Sequence, residues 1–141
     1  QFEMEDLEGN AQSSKELFAA HDLTLVNIWA TWCGPCIEEM PALEKIYQEG
    51  EIGVVGIAVE SEKQETAELA AEIAAELGVT YPNLRPTQEM IRDFLADAAY
   101  LPTTIFVDSD GKVVGGGLYI GGRGELEWRD TIESVQKSME E

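Results

Sequence analysis

Cations are scarce in this chain of 141 residues. Nine Lys and Arg stand against 28 Asp and Glu, with one His, giving a net charge of −19. Phosphate recognition needs clustered cations, so the balance argues against nucleic acid and anionic membrane surfaces as partners. The surplus acid reads as a strongly solvated surface, with cationic partners or a high-salt habitat as other readings of the same composition. Long apolar runs are missing too: nothing approaches the ~20 residues of a membrane span. No basic-then-apolar signal opens the chain. It begins at Gln1 rather than Met, as expected of a processed or trimmed form, so the missing signal says little about compartment. Cysteine is rarer still. Two are too few for the disulfide framework of a small secreted domain. Zinc draws about four ligands from Cys, His and carboxylate, and two Cys with His21 and no second cluster do not supply them.

What is present is a regular alternation of elements, with an apolar fraction of 44%. Phe2–Leu7 reads as a short strand ended by Glu8-Gly9-Asn10, and Ser13 or Ser14 can cap a helix over Lys15–Ala20. Leu23–Trp29 reads as a buried central strand. A helix over Gly34–Gly50 carries Ile37, Met40, Leu43 and Tyr47 inward, with Pro41 expected to kink it. Ile52–Val59 has the pattern of a strand covered on both faces. Glu62–Leu77 reads as a helix with Leu69, Ile73 and Leu77 on its buried stripe, closed by Gly78. Thr87 can cap a short helix with Met90, Ile91, Phe94 and Leu95 inward. Ile105–Val107 and Lys112–Val114 flank Asp108-Ser109-Asp110-Gly111 as a hairpin. The loop's calcium-like flavour lacks the remaining ligands. Gly115–Gly117 and Gly121-Gly122 read as a bulge and a turn. A last helix carries Leu126, Trp128, Ile132, Val135 and Met139. The expectation is one α/β domain over 1–141, a mixed sheet flanked by helices, with a short N-terminal extension.

The two cysteines lie in Trp32-Cys33-Gly34-Pro35-Cys36, between a buried strand and the start of a helix. Unpaired N–H groups and the positive dipole end at a helix start favour a thiolate. Dithiol/disulfide exchange is the chemistry this placement suits. Cys33, at the exposed helix start, is the expected nucleophile, and Cys36, one turn inward, the resolving thiol.

With Pro41 beyond the second Cys and Leu101-Pro102-Thr103-Thr104 ahead of a strand, the chain resembles the thioredoxin superfamily. Val26–Cys33, Leu101–Asp108 and Gly111–Val114 are similar to its TlpA/ResA-like extracytoplasmic branch. The resemblance implies a thioredoxin fold and a cis peptide bond before Pro102, facing the cysteines. It implies a client-binding surface of Trp32, Gly34, Pro35, Leu101, Pro102 and Thr103, with Leu101 turned toward an extended client strand. Trp32 would form an exposed apolar lip, and Trp29 belongs to the core. Asn27 departs from ordinary thioredoxins, which carry a buried Asp there as proton acceptor for the second Cys. Glu60, at the carboxyl end of a strand and in a Val-Glu-Ser phrase similar to the branch's Gly-Glu-Ser, is expected to take that role as a half-buried carboxylate with raised pKa.

Gly34-Pro35 is the pairing of reducing thioredoxins, near ~−270 mV, rather than of oxidants near ~−120 mV. The expected function is therefore reduction of disulfides in exported proteins, with no cofactor beyond the Cys33–Cys36 disulfide and no metal. The alternatives on this fold are a disulfide-forming oxidase or a thiol-dependent peroxidase, although no Arg adjoins the Cys pair. The resemblance further implies an extracytoplasmic place in a bacterial cell envelope, a membrane thiol-electron transporter as reductant, and apocytochrome c among the clients. Any membrane contact would run through an anchor ahead of Gln1.

Overall fold

The computed structural model describes residues 3–93 and 100–140. In chain order the elements are β1 (Glu3–Glu5), β2 (Ala11–Ser13), α1 (Ser14–Ala19), β3 (Leu23–Trp29), α2 (Gly34–Glu49), β4 (Gly53–Ala58), α3 (Gln64–Glu76), β5 (Asn83–Leu84), α4 (Gln88–Asp93), β6 (Thr103–Asp108), β7 (Val113–Ile120) and α5 (Glu125–Met139). β1 and β2 form a separate antiparallel pair, and the other five strands form one sheet in the order β5-β4-β3-β6-β7.

β3 takes the middle because all seven of its residues can be buried. It runs parallel to β4, with Val26 opposite Val55, and antiparallel to β6, with Val26 opposite Ile105. Successive side chains point to opposite faces. Leu25 and Phe106 meet Leu43 and Ile46 of α2 and Trp128, Ile132 and Val135 of α5. Val26, Ile28, Ile105 and Val107 meet Met4 and Met90, with Leu17 and Phe18 of α1 alongside. The resulting mixed sheet, covered by helices, is the α/β architecture expected from the sequence.

Gly56 shows how tightly the edge is built. A methyl group there would lie 1.9 Å from Asn83 Oδ1, the atom that accepts a 2.8 Å hydrogen bond from Trp29 Nε1. Only glycine lets β4 pass so close, which keeps the buried indole N–H satisfied.

Most element bounds follow the sequence pattern, and the departures have physical reasons. β2 and β5 are too short to show a period, and both were absent from the sequence reading. Ser13 is the N-cap residue of α1 but makes no side-chain capping bond. Thr87 does cap α4, its Oγ1 accepting from Met90 N at 3.1 Å. Phe94 and Leu95 lie outside the described residues. On α3 the buried positions are Ala67, Ala70 and Ala74, while Leu69 is exposed. Ala70 packs with Trp29 and Met40, so the inward face is small because the helix sits close, and Leu69 turns out. Leu126 and Met139 are exposed as well, leaving Trp128, Ile132 and Val135 as the buried stripe of α5. Pro41 lies inside α2, which continues on either side of it.

Candidate active site

Everything at the site is organised by the start of α2. Cys33 is its N-cap residue, in extended conformation, and its Sγ accepts a hydrogen bond from Cys36 N at 3.3 Å. Pro35 sits in the first turn, where a missing N–H costs nothing. Cys33 and Cys36 are joined in a disulfide with Cα atoms 5.3 Å apart. Cys36 is fully enclosed, whereas Cys33 retains slight exposure. A thiolate at Cys33 would thus gain the same backbone donor and dipole end, while Cys36 waits underneath. Cys33, Cys36, Trp29, Ala58 and Ala70 form one buried cluster, and Leu101 packs against it.

The second wall comes from the far end of the chain. The Leu101–Pro102 peptide bond is cis. Pro102 O accepts from Gly121 N at 2.9 Å, and Thr103 Oγ1 donates to Tyr100 O. Gly122 holds this wall to the first. A Cβ there would stand 3.3 Å from Pro35 O and 3.9 Å from Pro102 Cγ. Leu101 thus lies against the cysteine cluster, Gly34 and Pro35 sit between the two cysteines, and Pro102 and Thr103 follow Leu101 in the wall that Gly122 joins to Pro35.

Trp29 is buried and Trp32 is 68% exposed, matching the division between core and lip. Glu60 follows β4, at the edge where α2 begins, and its carboxylate faces the surface rather than the buried cysteine. Its side chain is 49% exposed. The reason is local: Glu60 takes φ +67°, and this left-handed turn swings the carboxylate outward. There Oε1 accepts from Trp32 Nε1 at 2.9 Å, and Lys63 Nζ lies 3.8 Å from Oε2.

The buried acid is another residue, Glu39, one helical turn beyond Cys36 and only 3% exposed. Its Oε2 accepts from Asn27 Nδ2 at 2.8 Å. Its Oε1 accepts from Trp128 Nε1 at 3.0 Å and Arg123 N at 3.3 Å. Desolvation pushes the Glu39 carboxyl above its ordinary range, and the bonds from Asn27, Trp128 and Arg123 offset only part of that. Asn27 is fully buried and also donates to Thr104 Oγ1 at 3.2 Å. The Arg123 guanidinium lies 5.4 Å over the Tyr119 ring and 5.2 Å over that of Trp128. Burial pushes the Tyr81 hydroxyl up from its usual range, and the negative charges of Glu39 and Glu44 push it further. Glu39 was missed in the sequence. The available signal was a carboxylate at the same helical face as Cys36, Met40 and Leu43, opposite an Asn where a strand should be apolar. Among the described residues no group of acids, His and Cys is arranged to hold a metal ion.

A dithiol ring capping a helix, faced by a cis-proline loop, is a thioredoxin-type site. The profile of the redoxin family matches residues 1–120. The chain belongs to the redoxin family. Among its relatives, the thiol-disulfide oxidoreductase ResA of Bacillus anthracis is 32% identical over 115 residues, covering 80% of this redoxin and 63% of that protein. This redoxin thus spans a little under two thirds of that relative. ResA of Halalkalibacterium halodurans is 31% identical over 136 residues, covering 96% and 73%. A thiol:disulfide interchange protein of the thioredoxin family from Chlorobium tepidum TLS superposes with TM-score 0.75 at 28% identity, covering 95% and 92%. A secreted Mycobacterium tuberculosis disulfide oxidoreductase shares the fold, with TM-score 0.74 at 16% identity over 96% of each chain.

Proposed function

We propose that this redoxin is a thiol-disulfide oxidoreductase that reduces disulfides in exported proteins. The observation that carries the reading is the N-cap placement of Cys33, with Cys36 N–H on its sulfur and Cys36 enclosed below. In the dithiol form the Cys33 thiolate attacks one sulfur of a client disulfide. A Cys33–client mixed disulfide forms, and the other client sulfur leaves as a thiolate that takes a proton from water. Cys36 then loses its proton and attacks Cys33 Sγ, closing the ring and releasing the second client thiolate. The client gains two electrons and the protein returns to the disulfide form described above.

Cys36 is enclosed, so its proton needs a nearby acceptor. We assign that role to Glu39, whose burial keeps its affinity for a proton high. Glu60 belongs at the client side, next to Trp32. The client strand would lie along Trp32, Gly34, Pro35, Leu101, Pro102 and Thr103. We further propose a place outside the cytoplasm, a membrane thiol-electron transporter as reductant and clients such as apocytochrome c, a reading that rests on the likeness to ResA-type relatives. No helix of the described residues is long and apolar enough to cross a membrane.

The test is the equilibrium reduction potential of the Cys33–Cys36 pair together with turnover of insulin disulfides. A potential near ~−270 mV with insulin reduction supports the reductase, whereas one near ~−120 mV assigns a disulfide-forming oxidase. Steady turnover of hydrogen peroxide without insulin reduction would replace both.

A further inference from the structure

Glu60 is the only described residue other than glycine with positive φ. A left-handed backbone is costly for a side chain with Cβ and persists where the surroundings over-determine it. Here they do. Ser61 is fully buried, and both its N and its Oγ donate to Ala58 O, at 3.2 and 2.6 Å. Lys63 N donates to Glu60 O at 3.1 Å.

The remaining carbonyls of this turn are held from outside, by Arg85, which follows β5. Arg85 Nε donates to Ser61 O at 2.7 Å, and Nη2 donates to Glu62 O at 3.0 Å. Nη1 donates to Gln64 Oε1 at 3.3 Å and lies 3.7 Å from Glu5 Oε1. Arg85 N donates to Glu5 O at 2.9 Å, anchoring its backbone to β1. A planar fork with fixed donor directions can hold two successive carbonyls at once, which a lysine ammonium does not. The far end of the same turn is the Glu60 carboxylate on the Trp32 indole.

We propose that Arg85 is a positioning residue for client binding: its fork fixes the Ser61–Glu62 carbonyls, and with them the left-handed turn through which Glu60 holds Trp32 beside Cys33. This rests on the reading of Trp32 as a client-contacting lip. A large exposed ring that is already oriented loses less freedom when a client strand lies on it, so the clamp strengthens binding of polypeptide clients. A small disulfide that reaches Cys33 without using the lip gains nothing from it.

The experiment compares wild type with Arg85→Gln and Arg85→Lys, all confirmed folded by circular dichroism. Acrylamide quenching of tryptophan fluorescence reads Trp32, because Trp29 and Trp128 are buried. Rates are measured on insulin and on oxidised glutathione. Arg85→Gln is expected to raise quenching and to raise KM for insulin about fivefold, the size of one lost exposed hydrogen bond, while kcat and glutathione reduction stay within about twofold. Arg85→Lys is expected to match Arg85→Gln, and it carries the same comparison if Arg85→Gln does not fold. Glu60→Ala, which removes the acceptor of the Trp32 indole, should raise quenching, and adding Arg85→Gln to it should raise quenching no further. Unchanged quenching, equal loss on both substrates, or full rescue by Arg85→Lys would overturn the clamp. Wild type inert on both substrates would sink the redox reading instead, and quenching would still judge the clamp.

Discussion

Two glutamates flank the same dithiol and live under opposite conditions. Glu39 lies inside, one turn past Cys36, accepting from Asn27, Trp128 and Arg123 with almost no exposure. Glu60 lies outside, on a left-handed turn, accepting from the indole of Trp32. The side chain is the same and the chemistry is not. Burial raises the proton affinity of Glu39, because desolvation disfavours its charge and its donors only partly restore it. Exposure makes Glu60 a mechanical part whose value is where it holds the ring. In the function proposed above, the inner side governs proton movement and the outer side governs what the dithiol meets.

The largest expected break in this comparison is on the inner side. Glu39→Ala leaves the Trp128 indole N–H without its acceptor and Asn27 with Thr104 alone, and should cost about 3 kcal/mol in chemical denaturation. Glu60→Ala, on the surface, should stay within about 0.5 kcal/mol. Equal losses would mean that burial does not separate the two acids. The inner acid should also leave a pH signature. A carboxyl raised in the folded state binds its proton more tightly there, so its contribution is fully present below the ordinary carboxyl range. It is lost as pH rises through the folded value. Denaturant midpoints measured across pH should show this decline in wild type and a flatter profile in Glu39→Gln.

Asn27→Asp sharpens the point from the other partner. Asn27 Nδ2 stands 2.8 Å from Glu39 Oε2, so an aspartate would set two buried carboxyls against each other. They would share one proton, and ionising the second would be strongly opposed. The variant should lose about 2 kcal/mol at pH 8 and recover much of it at pH 5, read by urea unfolding. A uniform loss at both pH values would argue for simple misfit.

The smallest expected effect is on the outer side, with opposite sign. Glu60→Gly relieves a left-handed side chain and should raise stability by about 1 kcal/mol while weakening binding of polypeptide clients. Thermal unfolding and KM on insulin check the two halves. A loss of stability would show that the carboxylate's contacts outweigh the backbone relief.

The outer side was largely legible in the sequence. Strand Leu23–Trp29 and the helix starting at Gly34 follow from apolar period, whereas the lip at Trp32, the core at Trp29 and the Pro102 wall are what the family resemblance implies. The place of Glu60 beside the site follows from its position at the end of a strand together with the same resemblance, but its exposure does not. That depends on a left-handed turn fixed by Ser61 and Arg85, which no local pattern announces. The inner acid was hidden for a different reason. Glu38 and Glu39 are adjacent in sequence, one exposed and one buried. What separates them is the indole of Trp128, far along the chain, supplying a donor to one of them. The alanine face of α3 was obscured in the same way, since close packing against Trp29 and Met40 selects small residues where a hydrophobicity stripe selects Leu69.

The central claim is that Glu39 receives the proton Cys36 must lose. The measurement that tests it most directly is the single-turnover rate at which Cys36 resolves a Cys33 mixed disulfide, followed against pH in wild type and Glu39→Gln. The account predicts a fall of about 100-fold near neutral pH in the variant, with the rate recovering only as hydroxide rises. Superimposable profiles for the two folded proteins would contradict it.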